Sequence, residues 1–266
     1  MSDSVYISKN ITGDQLKFLI LLDEYEIAYF RIEDIESKLG HSFSNLNEVL
    51  ENLVDKELLV RIERGKYRRH TFHDPYVIGT FISKSGVVAY WSALNLHGLT
   101  DQFPNTVFIQ TIGRKRDKKI DNLRYKFITV AARKQVGVTH NGYGNYRYPI
   151  TDVDKTIIDC FDLPAYSGGY AVLIEALASA TLHSNKLIAY CEAIGNESAI
   201  RRLAYLCELL EKENVQSFLE YAQTKVKQKY VLIDPAGGEQ GGFNARWKLR
   251  LNISEKEFLQ MAQDIY

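Results

Sequence analysis

The chain is poor in the features that mark disordered, fibrous and membrane-spanning proteins. Only 5 of its 266 residues are proline and no segment is of low complexity, which excludes disordered and collagen-like chains. Apolar runs such as Phe18–Leu22 stay far below the roughly 20 residues of a membrane span. The polar start MSDSVYISKN carries no apolar signal segment. We therefore expect a globular cytoplasmic protein that does not enter a membrane.

Cysteine is also scarce, and the motifs of common cofactor sites are missing. Cys160, Cys191 and Cys207 are odd in number, lie in apolar stretches and never approach CxxC spacing, so they predict neither disulfides nor a zinc site. His70 and His73 are too few for a metal site. No GxxxxGK[ST] or GxGxxG motif occurs. We expect no metal, no cofactor and no catalytic residue.

Charge is balanced overall but unevenly distributed along the chain. The 33 basic and 33 acidic residues cancel, which at first argues against a nucleic-acid-binding protein. Residues 1–75 are acidic, with 10 basic and 14 acidic residues, yet 61–70 hold 5 basic residues and 1 acidic residue. Residues 112–134 hold 9 basic and 2 acidic residues. These two basic strips need an explanation.

Length and patterning predict two domains, residues 1–75 and 76–266. In the first, helices are expected from the N-cap Thr12 to about Glu24, from Arg31 to Gly40, and from Ser44 onward. Two short helices joined by a Gly-containing turn indicate a helix-turn-helix. The segment LLVRIERGKYRRHTF alternates on both sides of Arg64-Gly65, which predicts a β-hairpin. Three helices and a hairpin predict a winged helix-turn-helix.

The charge pattern of this domain favours DNA binding. The helix from Ser44 would enter the major groove and present Ser44, Asn45 and Asn47 to base edges. The basic residues of the hairpin would contact phosphates; they are Arg61, Arg64, Lys66, Arg68 and Arg69. Two alternatives remain, because winged helices also bind proteins and a basic hairpin is often a solvated surface. The first turns of the recognition helix contain no Arg or Lys, which weakens the prediction of sequence readout.

Residues 76–266 predict a larger mixed α/β domain, so the fold class expected for the chain is α+β. Thr151 with Asp154 resembles a capping box, and so does Ser254 with Glu257. Helices are predicted at 76–81, 85–96, 171–180, 187–193, 200–210 and 215–222, and strands at 106–111, 123–131, 136–139, 230–233 and 247–251.

Four blocks of this region carry a resemblance to a known family. They read YWSALNLHGLTDQFPNTVFIQT, GRKRDKK, YPITDVDKTIIDCFDLPAYSGGYAVLIEAL and YVLIDPAGGEQGGFNARWKLRLN. In this order, behind a winged helix, they resemble the AbiEi-type antitoxins of type IV abortive-infection toxin-antitoxin systems. The resemblance implies a bacterial repressor that binds repeats in its own promoter and counteracts a co-encoded nucleotidyltransferase-like toxin, with or without direct contact.

Two further constellations have ordinary explanations. One face of a predicted helix would present Asp152, Lys155, Asp159 and Asp162, as in a metal-dependent nuclease. A simpler explanation is that an aspartate in the first turn interacts favourably with the helix dipole and that Lys155 and Asp159 form an i,i+4 ion pair. Ser167-Gly168-Gly169 precedes a helix and would bind an anion, but a tight turn is the better interpretation.

The second basic strip is open to three interpretations. Arg114, Lys115, Arg116, Lys118 and Lys119 repel one another unless they meet negative charge. They form a solvated loop, an extension of the DNA contact, or a surface for the toxin.

The predicted winged helix-turn-helix, together with what the family resemblance implies, gives the expectation of a non-enzymatic DNA-binding antitoxin and autorepressor. The alternatives are a stand-alone regulator, or a nuclease-like enzyme with an N-terminal DNA-targeting domain.

Overall fold

The structure is a computed structural model that describes residues 10–263, and its fold is mixed α and β. The chain forms two compact units. The first contains the described residues up to Ile78 together with Tyr143–Arg147, and the second contains Gly79–Gly142 and the residues from Tyr148 onward. Within residues 10–263, no helix is long and apolar enough to cross a membrane.

The first unit packs three helices against a small sheet. In chain order its elements are α1 (Gly13–Glu24), β1 (Tyr29–Arg31), α2 (Ile35–Leu39), α3 (Leu46–Asp55), β2 (Leu59–Glu63) and β3 (Lys66–Arg69). The strands lie in the order β1-β3-β2, and both pairings are antiparallel. Phe18, Phe30 and Leu50 are fully buried at the centre of this unit. The predicted cap at Thr12 is confirmed as a capping box with Gln15.

Two predicted helix starts in this unit are wrong. Arg31 ends a strand, because Phe30 pairs with Tyr67 of β3 and buries its ring between α1 and the sheet. The second helix therefore begins at Ile35, although it ends before Gly40 as predicted, with Gly40 at φ 60°. The third helix begins at Leu46 because Asn45, and not a residue before Ser44, caps it.

A short segment from later in the chain completes the first unit. Within Tyr143–Arg147, the ring of Tyr146 stacks on Phe72 at 5.3 Å, and Phe72 stacks on Tyr29 at 5.5 Å. The Tyr29 hydroxyl donates a hydrogen bond to the carbonyl oxygen of Asn145 at 2.8 Å. We call residues 143–147 the return segment.

The second unit contains a mixed six-stranded sheet and a group of helices. It begins within α4 (Pro75–Ile82). The sheet strands and the helices among them are β4 (Val87–Val88), α5 (Tyr90–Leu96), β5 (Thr106–Thr111), β6 (Lys118–Ile120), β7 (Leu123–Thr129), β8 (Val138–Asn141), β9 (Tyr148–Thr151) and α6 (Val153–Asp162). The strands of this sheet lie in the order β6-β7-β5-β4-β9-β8. The later elements are α7 (Tyr170–Ser179), α8 (Ser184–Ile194), α9 (Glu197–Leu209), α10 (Gln216–Thr224), β10 (Val231–Leu232), β11 (Gly242–Asn244), β12 (Leu249–Leu251) and α11 (Glu255–Gln263).

The helix predicted from Ser85 begins only at Tyr90, since Val87 and Val88 form a buried strand between β5 and β9. Strands β6, β9 and β11 were not predicted. The cap of α6 is Asp152, whose carboxylate accepts the Lys155 amide at 2.9 Å, so the Thr151 cap was misplaced by one residue. The capping box of Ser254 with Glu257 is confirmed.

Candidate nucleic-acid interface

The N-terminal turn of α3 presents three polar side chains to solvent, and they differ in what they contact. Ser44 and Asn47 are exposed, and their side chains make no contact with another polar group among residues 10–263. Asn45 is also exposed, but its carboxamide oxygen accepts the Glu48 amide at 3.3 Å. Its Nδ2 donates to the Glu48 carboxylate at 2.7 Å. Asn45 therefore stabilises the start of the helix, which leaves Ser44 and Asn47 available to an external partner.

The rest of the exposed surface of α3 is acidic. Glu48, Glu51 and Asp55 are all exposed, and the helix contains no lysine or arginine. A negative surface of this kind repels phosphates. Any DNA contact by α3 is therefore restricted to its first turn.

The hairpin of β2 and β3 carries two exposed arginines that differ from its other cations. Arg61 and Arg64 are exposed, and neither guanidinium forms an ion pair or hydrogen bond with another described residue. The turn between the strands places Gly65 at φ 70°, where its backbone passes close to Ile32. This pair of arginines is the most accessible positive charge of the hairpin.

Two other cations of the hairpin are already neutralised. Lys66 lies 3.3 Å from the Glu63 carboxylate, and both side chains are about one-fifth exposed. Arg69 lies 2.9 Å from the Asp23 carboxylate of α1. To bind phosphate, each cation would first exchange its present partner, so both contribute less to an anion surface than the formal charge implies.

The prediction that Arg68 contacts DNA is wrong. The residue is only 2% exposed, and its Nη1 donates hydrogen bonds to the carbonyl oxygens of Arg69, His70 and Phe72 at 2.8–3.1 Å. The chain folds back over the end of β3 at residues 70–72, so the guanidinium lies under its own backbone. The alternation of polar and apolar residues in a strand does not predict this burial. Adjacent residues of a strand normally point to opposite faces, but Tyr67 and Arg68 are both buried.

The second basic strip lies in the second unit and is only partly a loop. Lys118 and Lys119 belong to β6, an edge strand of the sheet, and Lys119 is paired with Arg124 of β7. Lys119 and Arg124 are both exposed, so two like charges lie opposite each other. Arg124 was not predicted as a site residue, because the sequence shows only that it is one of several polar residues in a predicted strand and does not show that it lies opposite Lys119.

The remaining residues of this strip are held differently. Arg114 and Arg116 are exposed, without a side-chain partner among the described residues. Lys115 lies over the Phe127 ring at 5.2 Å, and the Asp117 carboxylate accepts the Phe127 amide at 3.1 Å. These contacts anchor the segment to β7, so its charges are presented from an ordered edge of the sheet.

The residues that the sequence places on one face of α6 and its N-cap do not form an open acidic surface; they are Asp152, Lys155, Asp159 and Asp162. Lys155 and Asp159 form a buried ion pair, and Gln110 donates to the second Asp159 oxygen at 3.2 Å. Asp162 pairs with Lys134 at 2.7 Å, and Asp152 caps the helix. Burial raises the pKa of Asp159 to about 6, against the opposing effect of Lys155. In the part of the chain that the structure describes, no three His, Cys, Asp or Glu side chains are grouped as a metal ion requires.

The Ser167-Gly168-Gly169 segment forms a tight turn with two glycines in left-handed conformations. Gly168 has φ 88° and Gly169 has φ 114°. A Cβ at Gly168 would lie 2.6 Å from the Trp91 ring, so this position also requires glycine for close packing. The buried Ser167 hydroxyl donates to the Pro164 carbonyl at 2.8 Å and therefore serves the turn.

Similarity to known proteins is found among solved structures. No protein-family model and no curated protein matches the chain. Among solved structures, it is similar to the crystal structure of the RV2827C protein from Mycobacterium tuberculosis, with 17% sequence identity and a TM-score of 0.66. The match covers 94% of each chain. At this identity the likeness concerns the fold alone.

Proposed function

We propose that the first unit is a winged helix-turn-helix domain that binds double-stranded DNA. Helices α2 and α3 are connected through the left-handed Gly40, and the hairpin of β2 and β3 follows directly. This order of elements is typical of winged helix-turn-helix domains, in which the second helix of the pair enters the major groove. The hairpin then serves as the wing.

The exposed Arg61 and Arg64 carry the proposal. Both guanidinium groups lie on the wing without a partner among residues 10–263, in a domain whose other basic side chains are largely paired. Binding to a phosphate lowers the free energy of an unpaired arginine, because a phosphate accepts two parallel hydrogen bonds from one guanidinium. Ser44 and Asn47 approach the bases, and Asn45 positions the turn from which they project.

Replacement of both wing arginines tests DNA binding. In the full chain, Arg61→Ala with Arg64→Ala should weaken binding to any duplex and reduce the slope of log affinity against log salt by roughly 0.9 per lost contact. The matched control is Lys17→Ala, which removes an exposed cation of α1 in the same unit. Equal effects of the double variant and the control would refute the wing as a phosphate contact.

Sequence readout is tested separately at the first turn of α3. Asn47→Ala should cost about 1–3 kcal/mol on the operator and leave binding to random DNA nearly unchanged. Asn45→Ala should instead weaken both equally, because it destabilises the helix start. An Asn47 variant that loses operator and random DNA equally would remove it as a base contact.

We place this DNA-binding protein in the class of AbiEi-type antitoxins, on the strength of the sequence blocks in the second unit. In this proposal it is a non-enzymatic cytoplasmic autorepressor of a toxin-antitoxin operon, and it counteracts a nucleotidyltransferase-like toxin. The test is coexpression with the product of an adjacent nucleotidyltransferase reading frame. If this chain does not restore the growth of cells that express the toxin, it is not the antitoxin of that toxin. The stand-alone regulator is then the better interpretation.

Charge reversal assigns the second basic strip to one partner. Arg114, Arg116 and Lys119 are exposed and contact no carboxylate among the described residues, so changing them to Glu should leave the fold intact. If the variant no longer represses the operon but still rescues cells from the toxin, the strip contacts DNA. If it still represses the operon but no longer rescues the cells, the strip contacts the toxin. If it does both, the strip is the charged, solvated edge of a sheet.

A further inference from the structure

A cavity of about 520 Å³ opens on the second unit and contains no residue of either basic strip. Its walls come from Asp162–Tyr166, from Gly169 and Tyr170 at the start of α7, from Asp234–Ala236, and from Arg202 of α9. Its volume is within the range of small-molecule sites. The proposed DNA contacts use none of these residues.

Arg202 is the unusual member of the lining. It is 8% exposed, and its Nε donates to the Leu232 carbonyl at 2.9 Å. Its two terminal nitrogens have no hydrogen-bond or ion-pair partner within residues 10–263. Burial lowers the pKa of Arg202, which reflects the cost of its desolvation. A buried guanidinium with two open donors facing a cavity is stabilised by an anion placed there.

The neighbouring Arg201 shows that the fold can give a terminal nitrogen of a buried arginine a backbone partner. Arg201 is 3% exposed, and its guanidinium donates to the carbonyl oxygens of Glu197 and Lys229 at 3.3 and 3.0 Å. It does not line the cavity. The open donors of Arg202 are therefore a property of its position at the cavity.

The first turn of α7 supplies a second group of donors. Gly169 is the N-cap and has no side chain to accept the amides of the first turn, and Gly169 and Tyr170 both line the cavity. Uncapped amides at a helix N-terminus favour negative charge. The Arg202 guanidinium and the N-terminus of α7 thus both give the cavity a positive electrostatic potential.

The geometry points to a site for a small monocarboxylate with an apolar body. The carboxylate group would accept hydrogen bonds from Arg202, and the body would lie against Leu163, Pro164 and Tyr166. The lining also contains Asp162, which is neutralised by Lys134, and Asp234, which partly offsets Arg202. Arg202 and the roughly half positive charge at the N-terminus of α7 together exceed the charge of Asp234, so a group with one negative charge is attracted, whereas a phosphate ester with two charges exceeds what the site can balance. Apolar amino acids and their deaminated acids share this chemistry.

Calorimetric titration of the full chain with matched probes tests the charge requirement. We expect 3-phenylpropionate to bind at least tenfold more tightly than 3-phenylpropanol, which lacks the charge, and than phenyl phosphate. L-phenylalanine distinguishes the two sources. Tighter binding than 3-phenylpropionate means that a wall carboxylate receives the ammonium group, and weaker binding means that the deaminated acid is preferred. Absence of binding by both carboxylates at millimolar concentration overturns the proposal.

Variants locate the binding site. Arg202→Met should reduce the affinity for the bound carboxylate at least tenfold, whereas the control Arg201→Met, at a buried arginine outside the cavity, should retain it. Ala236→Phe fills the mouth of the cavity from an exposed position, leaves Arg202 in place and should also abolish binding. Binding that survives both Arg202→Met and Ala236→Phe in folded protein contradicts the site, and Ala236→Phe decides the question if Arg202→Met does not fold.

Discussion

Arg68 shows how one residue changes its role when its environment is known. A guanidinium in the middle of a basic strip is first interpreted as a phosphate ligand, but this one holds three carbonyl oxygens at the end of β3. Hydrogen bonds to a charged donor contribute more than neutral ones. Their loss removes the guanidinium donor from the carbonyl oxygens of Arg69, His70 and Phe72, of which the Arg69 carbonyl still accepts the Phe72 amide.

The Arg68→Met variant should therefore lose stability. We expect a decrease of about 2–4 kcal/mol in the free energy of unfolding of the first unit, measured by urea denaturation. Arg64→Met, at an exposed position of the same hairpin, should change stability by less than about 0.5 kcal/mol. Equal stabilities of the two variants would mean that the carbonyl contacts of Arg68 contribute nothing.

Asp159 gives the second unit a pH dependence whose sign follows from its burial. The ordinary pKa of 3.8 is raised to about 6 in the folded protein. Between these values the folded state binds a proton that the unfolded state has lost, so the free energy of unfolding falls as the pH rises from about 4 to about 6. The contribution, about 3 kcal/mol at most, is fully present below pH 4.

The Asp159→Asn variant should lack this component. Urea denaturation at several pH values from 4 to 7 should give a decline with rising pH that is steeper for the unmodified chain than for Asp159→Asn. Glu239→Gln, at an exposed loop position, should follow the unmodified chain. Parallel curves for the unmodified chain and Asp159→Asn would show that the Asp159 proton is not linked to folding.

At the scale of elements, α3 combines a polar first turn with an acidic surface. If the first turn lies in the groove, Glu51 stands one turn further along the exposed surface, near enough to phosphates to weaken binding. Glu51→Lys should strengthen binding to any duplex a few-fold at low salt and less at high salt. Glu239→Lys makes the same charge change in the second unit and is the control. Unchanged affinity for Glu51→Lys would place α3 away from DNA.

The elements that were predicted correctly are those with a local cause. The α1 helix has its capping box at Thr12, and the hairpin has its turn at Gly65, so neighbouring residues determine both. Strands β1, β4 and β6 were missed because they have only two or three residues, and pairing with distant strands holds them in place. The cavity was missed for the same reason, since Arg202 and Asp234 meet residues 162–170 only in the folded unit.

At the scale of the whole molecule, the return segment makes the first unit discontinuous in sequence. A cut after Ile78 would separate Phe72 and Tyr29 from Tyr146 and Asn145. The division expected at residue 75 does not include this contribution, because no local pattern assigns residues 143–147 to an earlier part of the chain.

The Tyr146→Ala variant tests this dependence. We expect the first unit to lose about 1–2 kcal/mol through the lost ring stacking, seen as faster amide hydrogen exchange in residues 10–78. Arg147→Ala, which removes an exposed side chain of the same segment, is the matched control. A fragment ending at residue 78 should show the same loss or a larger one. Equal exchange in the Tyr146→Ala and Arg147→Ala proteins would show that the Tyr146 ring does not stabilise the first unit.

The return segment also determines when the first unit can be completed during synthesis. A domain that ends at residue 78 would finish folding soon after that residue left the ribosome, but this one waits until Tyr146 has emerged. At roughly 5–20 residues per second the interval lasts several seconds, during which residues 79–142 leave the exit tunnel one after another. The stacking partners of Tyr146 stay uncovered for that time, so the nascent chain completes its N-terminal unit only after much of the second has been translated.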